Sequence, residues 1–332
     1  MAIFIFSHSS YKNPLGLVVV TYNSENEISA LVESALLHIP SVQEIVIVDN
    51  CSEDATVKVS EELKEKYRNI KLIRKRENVG LGRGLNIGIS AINCDYVLVT
   101  NPDIIIQEGN FSSFLELMTD GRVGIVVPGR TSTDLLPCDF GIPFQLKDCS
   151  ANTKGNKGKD RAFQIPIFHG DFFLLRKSAW ESVGGFDEDI FLYDEEETLS
   201  LKMRDRGYSI LYFDDYKVTH TEMKSVKSQL AKNRFFFFEN SQRNHPFLYY
   251  KYIRDGPSKR ILWWVGYFLN AAMYSLRFKS LHPILYSVDI FLNQTRRNLY
   301  NINYHWTFSN FFRLWLTHLY GAISIHARRL DR

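Results

Sequence analysis

Residues 96–103 read Tyr-Val-Leu-Val-Thr-Asn-Pro-Asp, an apolar run that stops at the polar tripeptide Asn101-Pro102-Asp103. Apolar residues followed by turn formers predict a central strand of a covered sheet. Pro102 cannot donate a ladder hydrogen bond, so the strand ends before it. Asp103 then lies at the carboxyl edge of the sheet, where open α/β folds bind ligands. Its carboxylate can hold a divalent cation, and the alternative is a plain Asx/Pro turn.

The flanking sequence alternates apolar runs with amphipathic stretches over residues 17–128, and this alternation predicts a parallel sheet with right-handed crossovers. Ser24-x-x-Glu27 has capping-box spacing for the first helix. The predicted strands are Leu17–Thr21, Ile45–Asp49, Ile70–Arg74, Tyr96–Thr100, Val123–Val127, Phe172–Arg176, Ile210–Phe213 and Lys217–His220; the predicted helices are 25–38, 53–67, 82–92 and Glu195–Arg206. The polar segment 130–163 predicts a mobile loop beside the site, and a plain surface insertion is the alternative.

Composition describes a folded globular protein with two differently charged parts. The 332 residues are 45% apolar and 23% charged, with a net charge of +3. Residues 224–332 hold 17 Lys and Arg against 4 Asp and Glu, and 24 of the 46 aromatic residues, whereas residues 1–223 carry 23 bases and 33 acids. An acidic body with a basic, aromatic tail predicts two separate tasks.

The four cysteines are scattered without metal-type spacing or a paired framework, which favours a reduced cytoplasmic compartment. They are Cys51, Cys94, Cys138 and Cys149. The N-terminus lacks a basic region followed by a cleavage site, so no signal peptide is predicted.

Polar residues follow each strand of the first half. Strand one ends in Thr21-Tyr22-Asn23, strand two in Asp49-Asn50, and a Gly-rich loop, Asn78-Val-Gly-Leu-Gly-Arg-Gly-Leu-Asn86, opens a helix after strand three. Each signature alone is as easily a packing feature as a ligand site. Together with Asn101-Pro102-Asp103 they would line one crevice.

This ordered set resembles the GT-A glycosyltransferases, specifically the inverting enzymes of glycosyltransferase family 2 and their rhamnosyltransferase-like branch, in which Asn-Pro-Asp replaces Asp-x-Asp. The resemblance covers about residues 15–245. It implies an α/β GT-A fold, Rossmann-like, with a mostly parallel central sheet and a C-terminal helical region. It also implies that Asp49 accepts from the base imide and that Asp103 ligates Mg²⁺ or Mn²⁺ bridging the diphosphate. The implied donor-binding residues are Thr21, Tyr22, Asn23, Asp49, Asn78, Gly80, Arg83, Asn86, Asn101 and Asp103.

The second half matches the family's acceptor side. Phe168-His169-Gly170-Asp171, Gly184-Gly185-Phe186-Asp187 and the run Phe191–Glu197 occur in the family's order. By the resemblance, Glu196 is the general base supported by Glu195, and His220 is a further metal or diphosphate contact. His169, Gly170, Asp171 and Asp194 are expected on the acceptor side.

The chain departs from the family pattern at the base. Glu196 stands where Asp is usual, Thr198 where a second Asp is common, and Lys202 where Arg is usual. The choice between Glu195 and Glu196 therefore stays open. The alternative without catalysis is a helix N-terminus whose acids only stabilise its dipole.

The tail carries an apolar stretch at residues 261–276 between Arg260 and Arg277, followed by aromatic-basic segments at 284–300 and 304–320. Sixteen residues are short of the roughly 20 that span a bilayer. Interleaved Trp, Tyr, Arg and Lys favour a helix lying at a membrane surface over nucleic-acid binding. Dimerisation through the same helices, or packing on the catalytic domain, are the alternatives.

We therefore predict an N-terminal extension at 1–14, a catalytic domain at 15–245 (donor half 15–128, acceptor half 165–245) and a basic, aromatic helical region at 246–332. The predicted activity is metal-dependent, inverting transfer of a sugar, with L-rhamnose from dTDP-L-rhamnose preferred, to a saccharide or lipid-linked acceptor in cell-surface polysaccharide synthesis at the cytoplasmic membrane face. UDP-sugar transfer (galactose, galactofuranose, N-acetylglucosamine or glucose) and an inactive scaffold are the alternatives. A nucleotidyltransferase is a rival class. A Rossmann dehydrogenase is disfavoured, because dehydrogenases carry the Gly-rich loop after the first strand and this chain carries it after the third.

Overall fold

The computed structural model describes residues 14–130, 162–220, 244, 257–289 and 291. The chain divides into two compact units, Met1–Ser228 and Gln229–Arg332. Nearly all of the predicted N-terminal extension, most of the polar segment 130–163, the predicted domain boundary near residue 245 and the tail segment 304–320 lie outside the described residues.

The described residues of the first unit form an α/β fold around a nine-stranded sheet. Its strands are β1 (Leu15–Thr21), β2 (Val42–Asp49), β3 (Ile70–Arg74), β4 (Tyr96–Thr100), β5 (Ile104–Ile106), β6 (Val123–Arg130), β7 (Ala162–Gln164), β8 (Phe172–Arg176) and β9 (Ser209–His220). Its helices are α1 (Ile28–His38), α2 (Thr56–Lys66), α3 (Leu81–Ser90), α4 (Phe111–Glu116), α5 (Lys177–Ser182) and α6 (Glu195–Asp205), with one 3₁₀ turn at Leu117–Thr119.

The sheet has the strand order β3-β2-β1-β4-β8-β6-β9-β5, and β7 pairs with β9. The strands β3, β2, β1 and β4 are parallel, as the strand–helix alternation predicts. Beyond β4 the sheet is mixed, because β8 pairs antiparallel with both β4 and β6. The buried pattern of Val123–Val127 predicts a strand correctly, but a periodicity does not reveal which strand will be its neighbour.

Alternate residues of the strands supply two apolar cores, one on each face. Leu17 and Val19 of β1 face the core that α1, α2 and α4 cover. Val18 and Val20 face the core that α3, α5 and α6 cover. Burial on both faces explains why these strands are continuously apolar instead of alternating.

Two local predictions are wrong, both for tertiary reasons. Ser24 does not cap α1 with its side chain: its carbonyl accepts from the backbone N–H of Ile28, and its own N–H donates to Thr56 Oγ1 at 2.7 Å. The two short strands predicted at 210–213 and 217–220 are one strand, β9, which shifts register against β6 between Pro128 and Gly129. A bulge of this kind inserts residues without ending the ladder.

In the second unit, α7 (Pro257–Phe278) contains the predicted apolar stretch, and residues 282–289 are also helical. Tyr267 and Ala271 lie on its buried face. Its other face exposes side chains at i, i+4, i+8 and i+11, namely Val265, Leu269, Met273 and Leu276, which we call the apolar stripe. Among the described residues, no helix is both long enough and apolar enough to cross a bilayer.

Candidate active site

Asp49 ends β2 at the carboxyl edge of the sheet, directly opposite Thr21 of β1. Its buried carboxylate accepts hydrogen bonds from Thr21 Oγ1 at 3.4 Å and from the backbone N–H of Ser52 at 3.2 Å. A carboxylate offers about four acceptor positions, so these two bonds leave capacity for another donor. The predicted acceptor for a base imide is thus held in a fixed orientation beside Thr21.

The loops after β1 and β2 are tied together beside Asp49. Asn23 has a left-handed backbone (φ 54°), which Asn tolerates better than most residues. Its N–H donates to Ser52 Oγ at 3.0 Å, and its Oδ1 accepts from the backbone N–H of Glu53 at 2.8 Å. The described contacts of Asn23 are therefore with the neighbouring loop. Ser52, whose sequence context predicts only a helix start, accepts from Asn23 and donates to Asp49, and so bonds both loops.

The loop that precedes α3 is held by Asn50, a second residue without a predicted role. Asn50 Nδ2 donates to Asn78 Oδ1 at 2.8 Å and to the carbonyl of Gly80 at 3.2 Å, and Asn50 Oδ1 accepts from the N–H of Val79 at 2.9 Å. Asn78 Oδ1 also accepts from the N–H of Gly80 at 3.0 Å. One carboxamide after strand two thus fixes the Gly-rich loop after strand three.

The sheet brings the two predicted metal ligands together. Because Ile104 of β5 pairs with His220 of β9, Asp103 comes next to His220. Asp103 Oδ1 and His220 Nε2 are 3.3 Å apart, with side-chain exposures of 12% and 17%. A carboxylate oxygen suits Mg²⁺ or Mn²⁺, and an imidazole nitrogen is a ligand of several transition metals. Among the residues that the structure describes, no group of three His, Cys, Asp or Glu side chains could hold a metal. The two residues fit such an ion as a partial ligand set.

The predicted acceptor segment lies against the same edge. β8 pairs with β4 so that Thr100 is opposite Phe172, and the backbone N–H of Asn101 donates to the carbonyl of Asp171 at 2.8 Å. Asn101 therefore bonds the 169–171 segment through its backbone. Residues that are 70 positions apart in the sequence meet because the antiparallel β8 is inserted next to β4.

The N-terminal half of α3 is in direct contact with the segment that leads to α6. Gly80 has φ +86°, and a Cβ there would lie 2.4 Å from the carbonyl oxygen of Phe191. That carbonyl accepts from the N–H of Leu81 at 2.9 Å. A Cβ on Gly82 would lie 3.3 Å from Cγ of Glu195. Glycine at position 80 allows this close approach of two backbones, and glycine at position 82 leaves room for the Glu195 side chain.

Arg83 and Asn86, predicted to bind the donor, also contact this segment. Arg83 Nε lies 3.3 Å from Glu188 Oε2, in an ion pair whose side chains are about half exposed. Asn86 Oδ1 accepts from the N–H of Phe186 at 2.8 Å, and its Nδ2 donates to the carbonyl of Phe186 at 3.0 Å. Lys202, where the family usually has Arg, donates to the carbonyl of Gly185 at 2.5 Å.

Helix α6 begins immediately after two residues with left-handed backbones, Tyr193 (φ 66°) and Asp194 (φ 68°). Non-glycine residues rarely adopt this conformation, and such strain concentrates at functional sites. The turn gives the two candidate bases different surroundings. Glu195 is 2% exposed and packs on α3, whereas Glu196 turns toward Gly170, whose Cα would place a Cβ 3.6 Å from the carboxyl carbon.

Burial raises the pKa of all three glutamates at the start of α6. It raises the pKa of Glu196 to about 7, and the charges of Asp194 and Asp171 act in the same direction, while the N–H of Gly170 donates to the carboxylate and opposes the rise. Burial, followed by the charge of Glu196, holds the pKa of Glu195 well above its usual range. Burial and the charge of Asp194 raise the pKa of Glu197 to about 8. A carboxyl with a pKa near 7 can exchange a proton at neutral pH.

The comparisons with known proteins identify the family of the chain. The family model described as "Glycosyl transferase family 2" matches residues 17–184, half of the chain. A curated relative from Bacillus subtilis, "Probable glycosyltransferase YdaM", is 28% identical over 174 residues, which are 51% of this chain and 41% of that protein. The Mycobacterium tuberculosis "N-acetylglucosaminyl-diphospho-decaprenol L-rhamnosyltransferase" is 23% identical over 240 residues, 64% of this chain and 77% of that one. The chain thus spans about two fifths of the first relative's length.

Among solved structures, a mannosyltransferase from Pyrobaculum calidifontis, determined with GDP-Man and Mn²⁺, aligns with 95% of this chain and 81% of its own, at a TM-score of 0.55 and 18% identity. At this identity the likeness concerns the fold. It agrees with the GT-A architecture that the strand order and the site edge describe.

Proposed function

This chain belongs to glycosyltransferase family 2, and from that membership we propose that it transfers a sugar from a nucleotide-diphosphate donor to a saccharide hydroxyl with inversion. The observation that carries the proposal is the environment of Glu196: a carboxyl of raised pKa, bonded by Gly170 and facing the 169–171 segment, at the same sheet edge as Asp49 and Asp103.

In the proposed reaction, Glu196 accepts the proton of the acceptor hydroxyl as that oxygen bonds to the anomeric carbon. The bond from the anomeric carbon to the diphosphate oxygen breaks, and its electron pair leaves with the nucleotide diphosphate. Attack opposite the leaving group inverts the configuration. Glu196 is preferred over Glu195 because Glu195 is buried against Gly82 of α3.

Donor binding is proposed at the carboxyl ends of β1, β2 and β4. Asp49 would accept from the imide N–H that uracil and thymine share, with Thr21 and Tyr22 framing the base. Asp103 and His220 would hold a Mg²⁺ or Mn²⁺ ion, whose chemistry is to neutralise charge on the leaving diphosphate. Since the chain provides only one carboxylate at Asn101-Pro102-Asp103, the donor would complete the ligand set. Metal and nucleotide binding are therefore expected to strengthen each other.

We propose dTDP-L-rhamnose as the donor and a lipid-linked saccharide as the acceptor. The support is the Asn-Pro-Asp motif and the likeness to the mycobacterial relative. A UDP-sugar is the second candidate, because Asp49 would read the same edge of uracil. The test is a thermal-shift screen of dTDP-L-rhamnose and UDP-sugars with and without Mn²⁺, followed by transfer assays with the stabilising donor.

Glu196→Gln should abolish transfer and leave donor stabilisation intact. Glu65→Gln, on the exposed face of α2, is the matched control. Undiminished transfer by Glu196→Gln would exclude Glu196 as the base, and a wild-type protein that no nucleotide sugar stabilises would favour the inactive scaffold.

The tail is proposed to lie on an anionic membrane surface, where a lipid-linked acceptor would be found. The apolar stripe is 49–80% exposed, and two of its residues line an open groove of about 630 Å³, whose lining is Trp264, Val265, Phe268, Leu269 and Phe291. No Asp or Glu occurs between Asp255 and Asp289, while Lys259, Arg260, Arg277 and Lys279 flank the stripe. An apolar stripe in a stretch of sequence whose charged residues are all basic favours anionic lipid.

Vesicle pelleting tests this surface. Leu269→Glu with Leu276→Glu should reduce binding to phosphatidylglycerol-containing vesicles at least tenfold. Leu37→Glu, at a 73% exposed leucine of α1, should not. Equal binding by the double variant would refute the membrane role, and a dimer that the double variant disrupts without any vesicle binding would favour dimerisation.

A further inference from the structure

The side chain of Asn86 is bonded to the backbone of a residue 100 positions away. Its Oδ1 accepts from the N–H of Phe186 at 2.8 Å, and its Nδ2 donates to the carbonyl of Phe186 at 3.0 Å and to Glu188 Oε1 at 3.4 Å. A carboxamide has two N–H donors and two acceptor positions. Both donors and one acceptor position of Asn86 are therefore used by the protein.

Gly185 covers the same carboxamide. It has φ +66°, and a Cβ at this position would lie 2.7 Å from Asn86 Oδ1. Only glycine allows the chain to run this close to Asn86 in that conformation. The backbone of the Gly-Gly-Phe-Asp segment thus packs directly against the Asn86 side chain.

From Phe186 the chain returns along α3 toward the candidate bases. The carbonyl of Phe191 accepts from Leu81, and Glu195 packs on Gly82. The segment 186–195 is consequently in contact with three residues of α3, Asn86, Leu81 and Gly82. The last of these contacts along the segment is made by Glu195, the residue directly before Glu196.

We infer that Asn86 is a positioning residue for Glu195 and Glu196, and not a ligand of the donor nucleotide. This inference rests on the proposed function for the role of Glu196. Asn86 fixes where the Gly-Gly-Phe-Asp segment begins, and this sets the burial of Glu195 and the placement of Glu196 beside Gly170. The sequence resemblance, by contrast, assigns Asn86 to the donor.

The first test is hydrogen exchange on the full chain, since it needs no turnover. Asn86→Ala should accelerate exchange of backbone amides at 186–197 about tenfold or more, because each lost hydrogen bond corresponds to roughly a fivefold change. Strand β2 should be unchanged. Asn93→Ala, at an exposed asparagine just beyond α3, is the matched control. Asn86→Asp keeps the oxygen that accepts from the Phe186 N–H, and it replaces the alanine variant in this test if that variant does not fold.

The second test separates positioning from donor binding. The affinity for dTDP or UDP with Mn²⁺ should change less than threefold in Asn86→Ala, while kcat falls at least tenfold. The acidic limb of the pH–rate profile should move below about 7, because Glu196 becomes more hydrated. The Asn93→Ala profile should match wild type.

Three results would overturn the inference: nucleotide affinity that falls as much as kcat, exchange that accelerates equally in β2, or exchange at 186–197 that does not change. If neither nucleotide binds the wild-type protein, the proposed function fails, and hydrogen exchange alone decides for or against the positioning role.

Discussion

Replacing Glu196 by Gln should stabilise the protein at alkaline pH and leave its stability at pH 5 nearly unchanged. The pKa of Glu196 is raised from 4.5 to about 7, chiefly by burial. The native protein therefore keeps this proton up to about pH 7, whereas the unfolded chain releases it near 4.5. Because the native state binds more protons in this window, stability falls as the pH rises through it.

The size of the effect follows from the same pKa. At about 1.4 kcal/mol per tenfold change in proton affinity, the ionised Glu196 costs up to about 3 kcal/mol above pH 7. Its neighbours Glu195 and Glu197 share this cost, so a gain of about 1–3 kcal/mol is expected at pH 8. Glutamine keeps the oxygen that accepts from Gly170 and carries no charge. At roughly 2–4 °C per kcal/mol, the melting temperature should rise by about 2–12 °C.

The assay is thermal unfolding of wild type and Glu196→Gln at pH 5 and pH 8, with Glu65→Gln as the exposed control. The control should stay within about 0.5 kcal/mol of wild type at both pH values. A variant that is less stable than wild type at pH 8, or whose stability increases equally at pH 5, would show that burial does not raise the pKa of Glu196.

The same structure makes three further predictions. Transfer by the wild type should lose about tenfold in kcat/KM per pH unit below about 7, and an acidic limb near 4.5 would contradict Glu196 as the base. Asp103→Asn should reduce the Mn²⁺-dependent gain in UDP or dTDP affinity at least tenfold by calorimetric titration, and an unchanged gain would remove Asp103 from the metal site. Gly80→Ala should destabilise by about 3 kcal/mol or more in urea unfolding, because backbone strain of about 1–2 kcal/mol adds to the clash with Phe191. Gly207→Ala has the same sign of φ but open space, so it should cost only the strain; equal losses would refute the clash.

Where a strand is a continuous apolar run closed by turn formers, the sequence predicts its bounds. Ile70–Arg74, Tyr96–Thr100 and Phe172–Arg176 are strands with the predicted limits. The order of the strands beyond β4 could not be predicted from the sequence, because the same buried pattern suits a parallel or an antiparallel neighbour. Ser24 shows the converse: despite its local capping signal, its side chain does not cap α1, and its backbone N–H donates to Thr56 at the start of α2.

The candidate site divides in a similar way. The pairing of Asp103 with His220 and the convergence of Asp49 with Thr21 follow from strand ends, which sequence patterns locate. The contacts of Asn86 and Asn50 with distant backbone do not, because nothing local distinguishes an asparagine that binds a ligand from one that binds a peptide group. Asn50 meets its partners only when the loop after β3 is in place, and Asn86 only when the segment between α5 and α6 is in place.

The contact between α3 and the segment before α6 also bears on protein engineering. Gly80 and Gly82 accommodate Phe191 and Glu195, and Gly185 accommodates Asn86, so the fit is reciprocal. A chimera whose imported loop carries a side chain at position 80 would place that side chain against the Phe191 carbonyl. The two stretches fit each other as one structural unit. An exchange of segments meant to change donor specificity should therefore replace residues 78–86 and 184–197 together.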